Sequence, residues 1–293
     1  MRTRDFDLTL TSMSGQPLAF HSEYSDSNKI RFLKYSTSKG IIKIEWSGNS
    51  RSGELDYDYF GDYTAKAARA EIRKRFGLDA NMGKVYSKIS TDGFMREAID
   101  KFHGLRVTEN DPWETTMCFV ISQFNNIKRI RGIVGNLTEK FGQTVEIEGR
   151  RGKLFPTPEA IASASMNELR SCGTGFRDTY LKAAANAFLA NDTVKSIGST
   201  DYGKAKSSLM EIEGVGDKVA DCILLFGYGK FEAFPIDTWI KKTMESLYFK
   251  GKKTTVRNIH DAAYEKWGGM RGYAQQYLFW YGRETGFGGR LDA

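Results

Sequence analysis

Residues 209–237 read LMEIEGVGDKVADCILLFGYGKFEAFPID. A glycine hinge, Glu213-Gly214-Val215-Gly216-Asp217, separates two helical patterns, and Lys218 opens the second. Asp237 follows just past a Phe-Pro turn. Glycine tolerates positive φ and lets a backbone approach another chain closely. Gly214 and Gly216 can therefore aim main-chain amides outward while Val215 pins the hairpin into the core. The first amides of a helix are unpaired and sit at the positive end of its dipole, so hairpin and helix start suit an anionic oxygen. A GxG turn alone also fits a plain helix–helix connection. The lysine and the later Pro-x-Asp argue instead for a phosphate clamp around an amine and a carboxylate.

Those two groups make chemical sense together. The helix start beside Lys218 lends positive potential, and partial burial acts the same way. Both favour the uncharged, nucleophilic amine. Attack at a sugar C1′ would expel the base and leave a Schiff base, from which β-elimination cuts the strand. Breaking a glycosidic bond builds positive charge on the sugar, and a fixed carboxylate such as Asp237 stabilises it. Asp237 is also a favoured N-cap for a helix starting at Thr238, and the two roles can coexist.

Working outward, the 293 residues are 40% hydrophobic, enough for a sizeable core. Lys and Arg exceed Asp and Glu by 43 to 36, and the pI is about 9.1, which permits a polyanionic partner. Cys118, Cys172 and Cys222 are odd in number and form no CxxC pair. Zinc, iron–sulfur and disulfide frameworks are thus disfavoured, and a reducing intracellular compartment fits. The start, MRTRDFDLTL, lacks the apolar run of a signal peptide, and no stretch is long and apolar enough for a membrane span.

Residues 5–60 read as β-rich. Phe6 to Thr11 alternates apolar and polar side chains, as Ile41 to Trp46 does in part, with turns at Ser12–Gly15 and Ser47–Gly53. From about residue 63 the period becomes helical, over Ala65–Phe76, Phe94–Phe102, Pro112–Ile121 and Ile127–Phe141. Thr157-Pro158-Glu159 and the capping box Ser165-Met166-Asn167-Glu168 start further helices. Phe176–Leu189, Lys204–Met210, Lys218–Phe226, Thr238–Tyr248 and Tyr273–Trp280 complete the set. The expected fold is mainly α with a small N-terminal antiparallel β-sheet (α+β). Residues 1–62 would form the sheet subdomain and 63–293 the helical body, with the helix–hairpin–helix at about 204–228.

The hairpin, Lys218-Val219-Ala220-Asp221-Cys222 and Phe234-Pro235-Ile236-Asp237 resemble the helix–hairpin–helix DNA glycosylases with a Gly/Pro…Asp loop (HhH-GPD). The lysine points to their 8-oxoguanine DNA glycosylases with lyase activity. The similarity runs over nearly the whole chain. It implies a base excision repair enzyme that flips a damaged base out of double-stranded DNA, with Lys218 as nucleophile and Asp237 as electrostatic partner. It further implies a base pocket of Gly15, in Ser14-Gly15-Gln16, with Cys222, Gln275 and Phe279. Asn125, Arg129, Phe176 and Arg177 would read the orphaned base and wedge the stack. A potassium- or sodium-type ion is implied on the main chain of Met210, Ile212 and Val215, with no organic cofactor. Members of this family usually act as monomers.

The chain departs from the pattern in places. Phe124 stands where the family usually has an asparagine that helps fill the vacated stack and reads the orphan cytosine, and Pro17-Leu18-Ala19-Phe20 replaces an aromatic–Arg–Trp run. Trp239 stands where animal members have histidine, and no four-cysteine C-terminus is present. Two rival readings follow: a glycosylase for alkylated or deaminated bases such as 3-methyladenine or hypoxanthine, and a non-catalytic module that binds DNA only through its backbone.

Overall fold

The computed structural model describes residues 1–25, 29–190, 194 and 196–286. Five antiparallel strands form one sheet: β1 (Arg2–Arg4), β2 (Glu23–Tyr24), β3 (Phe32–Ser36), β4 (Gly40–Asn49) and β5 (Ser52–Gly61), in the order β1-β5-β4-β3-β2. The alternation in β4 sends Ile42, Ile44 and Trp46 to one face. There they join Leu33, Tyr35 and Leu55 beneath Phe6, Ile72 and Phe76. Ile41 points the other way and packs with Phe60 and Leu154. A two-stranded hairpin of β6 (Thr144–Ile147) and β7 (Arg150–Lys153) adjoins this second face, with Gly152 so close to Ile41 that a Cβ would collide.

Helices make up most of the remainder and share one large apolar core. Their starts follow short polar caps. Thr64 accepts from Ala67 N, Asp111 from Trp113 N and Glu114 N, and Thr157 from Ala160 N. Ser165 and Glu168 form the reciprocal capping box that the sequence predicts. The predicted helices appear within a few residues of their expected ends, including Ile127–Phe141 and Thr238–Tyr248.

The first alternating run is a correction. Phe6 to Thr11 is not a strand: Leu8–Ser12 is a short helix. The Asp7 carboxylate accepts from Leu10 N at 2.8 Å, and the buried Leu8, Thr11 and Ser12 follow helical spacing. Helices Leu18–His21, Met82–Ile89 and Val256–Trp267, and the β6–β7 hairpin, are additions to the sequence reading.

A buried polar joint connects the Ala65–Arg75 helix to the Pro112–Ile121 helix. Arg75 is 1% exposed and donates to Glu114 at 2.8 Å, Asn110 at 3.2 Å and Glu71 at 2.7 Å. Its guanidinium also lies 4.6 Å from the Tyr35 ring centroid, tying the joint to the sheet. Burial pushes the Glu114 carboxyl up to about 7 against the opposing pull of Arg75.

Candidate active site

The hairpin begins where the Tyr202–Met210 helix ends. Val215 is buried and its N–H returns to the Ile212 carbonyl at 2.9 Å. Gly214 takes φ +84°, and a Cβ there would strike the Tyr180 side chain, so both conformation and space require glycine. Gly216 is the N-cap of the Asp217–Tyr228 helix and supplies no side-chain cap. The first amides of that helix are therefore open to an outside acceptor.

Lys218 stands in the first turn of this helix, half-buried, with Nζ 4.9 Å from the Phe119 ring centroid. Cys222 lies one turn further along the same helix and is buried. Burial pushes its thiol up to about 12, so the sulfur is an uncharged wall. Asp237 caps the Thr238–Tyr248 helix, with Oδ1 accepting from Ile240 N at 2.7 Å. Burial raises its carboxyl above the ordinary value; the Ile240 N–H and the charge of Lys218 pull the other way without reversing the shift.

A third element closes the site. The Ser14-Gly15-Gln16 turn is fastened by the wholly buried Gln16. Its Nε2 donates to the Arg106 carbonyl at 2.8 Å, and its Oε1 accepts from Thr108 N at 2.6 Å. Gly15 is left at φ +71° with the Phe279 ring against it; a Cβ would come within 3.2 Å of Cζ. Gln275 Nε2 donates to the Pro235 carbonyl at 3.1 Å, and its Oε1 accepts from Gln276 at 2.7 Å.

One cavity of about 40 Å³ is lined by Gly15, Lys218, Cys222, Asp237, Gln275 and Phe279 together. That volume holds little more than one water, whose share of the liquid is about 30 Å³. A groove of about 640 Å³ lies elsewhere, between β3, the Leu18–His21 helix and the Ile127–Phe141 helix, and none of these six residues lines it. Converging chemistry, not size, marks the site.

The cavity also contains residues the sequence reading omits. Phe119 and Phe226 stack 5.6 Å apart in its wall. Gln276 lines it with a buried Oε1 that has no partner. The paired glutamines of Ala274-Gln275-Gln276-Tyr277 are the one signal that could have found Gln276. Arg283 lies 5.4 Å from the Phe279 centroid and bears on the Asp237 charge.

The expected orphan-base residues gather elsewhere. Arg129 is exposed. Asn125 is partly buried, its Nδ2 donating to the Ile121 carbonyl at 3.0 Å. Phe176 is 51% exposed and Phe124 92% exposed, with centroids 6.4 Å apart. Phe124 adopts φ +48°, the left-handed region, at a cost of roughly 1–2 kcal/mol for a residue with a Cβ. Arg177 departs from its expected place at the reading surface. It is 3% exposed, donating to the carbonyls of Gln123, Phe124 and Thr174 from beneath the loop.

Below the hairpin, Lys206 Nζ lies 2.8 Å from Asp217 and 3.0 Å from Asp221. His260 approaches Asp217 at 3.5 Å, and hydrogen bonding from His260 and Lys206 holds the Asp217 carboxyl below its usual range. Among the described residues, Asp217, Asp221 and His260 are the single group with metal-ligand geometry. The Lys206 ammonium already pairs with both of its carboxyl groups.

Residues 117–268 match the model of the HhH-GPD superfamily base excision DNA repair proteins. Residues 1–116 match that of the 8-oxoguanine DNA glycosylase N-terminal domain. A probable N-glycosylase/DNA lyase of Methanothermobacter thermautotrophicus is 29% identical, over 98% of this chain and 96% of that one. Among solved structures, MBOgg1 in complex with a low-affinity DNA ligand superposes with a TM-score of 0.85. It is 30% identical, over 97% of this chain and 94% of that one. The Clostridium acetobutylicum 8-oxoguanine glycosylase/lyase bound to duplex DNA gives 0.84 at 28% identity, over 96% and 93%. The chain belongs to the HhH-GPD superfamily of base excision DNA repair proteins, and within it to the 8-oxoguanine DNA glycosylase/lyase family.

Proposed function

We propose that this protein excises 8-oxoguanine from double-stranded DNA and then cuts the strand at the resulting site, with Lys218 and Asp237 as the catalytic pair. The observation that carries the assignment of roles is the single cavity lined by Lys218, Asp237, Gly15, Cys222, Gln275 and Phe279. The Val215 amide is already bonded to the Ile212 carbonyl, so the Gly216 amide and the helix start beyond it grip a backbone phosphate. The damaged nucleotide leaves the stack and enters between the Gly15 turn and Phe279. The Lys218 amine attacks C1′, the C1′–N9 bond breaks, and the departing base takes up a proton. The resulting aminal opens as the C1′–O4′ bond breaks and O4′ takes up a proton, and the iminium this leaves loses a proton from C2′ and expels the 3′ phosphate. Asp237 stabilises the positive charge that builds on the sugar before Lys218 closes on it.

The protein acts as a monomer inside the cell and uses no organic cofactor. Met210, Ile212 and Val215 would offer neutral main-chain oxygens, a donor set suited to one potassium or sodium ion steadying the hairpin, with the Ile212 carbonyl also accepting from Val215 N. Among the described residues no helix is long and apolar enough to cross a membrane.

A panel of single-lesion duplexes tests the substrate. Single-turnover excision is expected to be fastest on 8-oxoguanine, with the base and the nicked strand both released. Faster release of 3-methyladenine or hypoxanthine would overturn the substrate assignment. Binding with strong salt dependence and no lesion preference would overturn the enzyme reading altogether.

Asp237 gives a second prediction with a definite sign. Its carboxyl is raised in the folded protein by burial, so the ionised form that catalysis needs is lost as pH falls through that raised value. The acid limb of the excision profile should lie above the free aspartate value and vanish in Asp237→Asn. Stability runs oppositely: the contribution from this group is full below the unfolded value of 3.8 and is lost as pH rises through the folded one. Asn caps helices about as well as Asp. Asp237→Asn is therefore expected to lose about 10²-fold or more in excision, yet to melt no lower, and to melt higher at neutral pH.

A further inference from the structure

A relay of hydrogen bonds runs through one wall of the candidate site, and its direction is fixed at one end. The Pro235 carbonyl can only accept, so Gln275 must turn its Nε2 toward it, at 3.1 Å. Gln275 Oε1 then faces Gln276, which must present its own Nε2, at 2.7 Å. Flipping either amide would bring two oxygens together. Both glutamines lie on the Arg271–Thr285 helix and are buried, 4% and 3% exposed. The last oxygen of the relay, Gln276 Oε1, therefore stands in the cavity wall as an acceptor, with no partner among the described residues. The other polar side chains around it are already committed. Ser14 Oγ donates to the Thr11 carbonyl at 2.9 Å, and Gln275 bonds at both ends. A buried acceptor without a donor is costly, and a guest that supplies the donor removes that cost.

We infer that Gln276 is a specificity-determining residue whose side-chain oxygen accepts an N–H from the Watson–Crick edge of the extruded base. Gln275, the glutamine that the resemblance assigns to the base, is then the positioning residue that fixes which end of Gln276 faces the guest. The inference deepens the base-flipping reading above and rests on it. Lys218 and Asp237 act on the sugar, so the remaining lining groups meet the base. A guanine-type base carries two donors on its Watson–Crick edge, N1–H and the 2-amino group. At the same two positions an adenine-type base has an N1 acceptor and a C2–H. The fixed acceptor thus favours the first pattern and leaves Gln276 Oε1 unsatisfied with the second. A buried group stranded in this way is what lets a pocket reject a close analogue.

The test uses the full chain on duplexes carrying 8-oxoguanine or 8-oxoadenine opposite cytosine. These two lesions share the oxidised five-membered ring and differ at the Watson–Crick edge. Cutting of a preformed abasic site, where no base is read, serves as the internal reference. Gln276→Met keeps nearly the same length and removes the oxygen. Relative to that reference, excision of 8-oxoguanine is expected to fall about tenfold or more, while excision of 8-oxoadenine holds or rises. Gln275→Met unlocks the direction of Gln276, which can then turn its Nε2 to an adenine N1. The ratio between the two lesions should narrow there too, mainly through a gain on 8-oxoadenine. A Gln276→Met protein that slows both lesions equally, as a collapsed pocket would, or slows neither, overturns the inference. A Gln275→Met protein with the parent's ratio overturns the positioning role. A parent protein that releases no 8-oxoguanine refutes the activity instead. Duplex binding in the Lys218→Gln background then decides the inference: Gln276→Met should narrow the affinity ratio between the two lesions, and an unchanged ratio overturns it.

Discussion

Lys218→Gln should leave no adduct that borohydride can trap on an 8-oxoguanine duplex, and strand cutting should fall on the order of 10⁴-fold or more, the scale seen when a covalent nucleophile is removed. Glutamine fills nearly the same space but cannot form an iminium. The expected loss is chemical and not architectural. Lys218 is half-buried at a helix start, and the contact it gives up with the Phe119 ring is worth about 0.5–1 kcal/mol. Duplex binding should survive, because the phosphate grip is assigned to main-chain amides at Gly216 and the helix beyond. Two measurements on one preparation check this: gel-resolved covalent trapping, and binding titrated against salt. An adduct that persists in the variant would move the nucleophile to another residue.

Arg75→Met should be the most destabilising single change described here, by about 3–5 kcal/mol, a large part of the 5–15 kcal/mol typical of a folded domain. It removes the partner of a carboxylate that has almost no access to water. Glu114 then sits in the interior beside Asn110 and His21, whose Nε2 lies 3.8 Å away and whose imidazole burial keeps largely uncharged. The pH dependence identifies the cause. Burial already raises Glu114 to about 7, and removing Arg75 removes an influence that lowers it, so the carboxyl rises further. Because the folded value exceeds the unfolded one near 4.5, the stability tied to Glu114 is full below about 4.5 and drains away as pH rises through the folded value. The melting deficit of Arg75→Met should therefore be larger at pH 8 than at pH 5. Glu114→Gln in the same background should recover much of it. A deficit that does not change with pH would place the cost in lost packing against Tyr35.

Much of this fold is legible in the sequence because its helices announce their starts. Asp111-Pro112, Thr157-Pro158 and Ser165 with Glu168 are local signals that the tertiary structure had no reason to override. Leu8–Ser12 shows the limit. Five residues give no periodicity that separates a helix from a strand, and the deciding contact is one bond from Leu10 N to Asp7. The Met82–Ile89 and Val256–Trp267 helices also carry polar caps, Asn81 and Thr255, but cap residues alone occur in many turns.

The candidate site divides along similar lines. Lys218, Cys222 and Asp237 lie within one contiguous motif, so their convergence is almost local. Phe226 continues the helical stripe of Lys218 and Cys222, and Gln276 follows Gln275, so both had a local signal, whereas Phe119 comes from the Pro112–Ile121 helix and its nearness depends on how the core packs. Arg177 is the instructive case. Its sequence neighbours suggest a surface residue, whereas its real surroundings come from a backbone turn at Gln123 and Phe124, some fifty residues earlier.

The slot between Gly15 and Phe279 has a thermodynamic corollary. Its walls touch before any guest arrives and the enclosed space is about 40 Å³, so admission of a purine requires the aromatic ring to swing aside. A nucleotide anchored by its flanking phosphates can meet that expense out of binding made elsewhere along the duplex. A loose nucleobase has no such tether. Free 8-oxoguanine in solution should accordingly compete poorly, and turnover should escape inhibition by the very molecule the reaction releases.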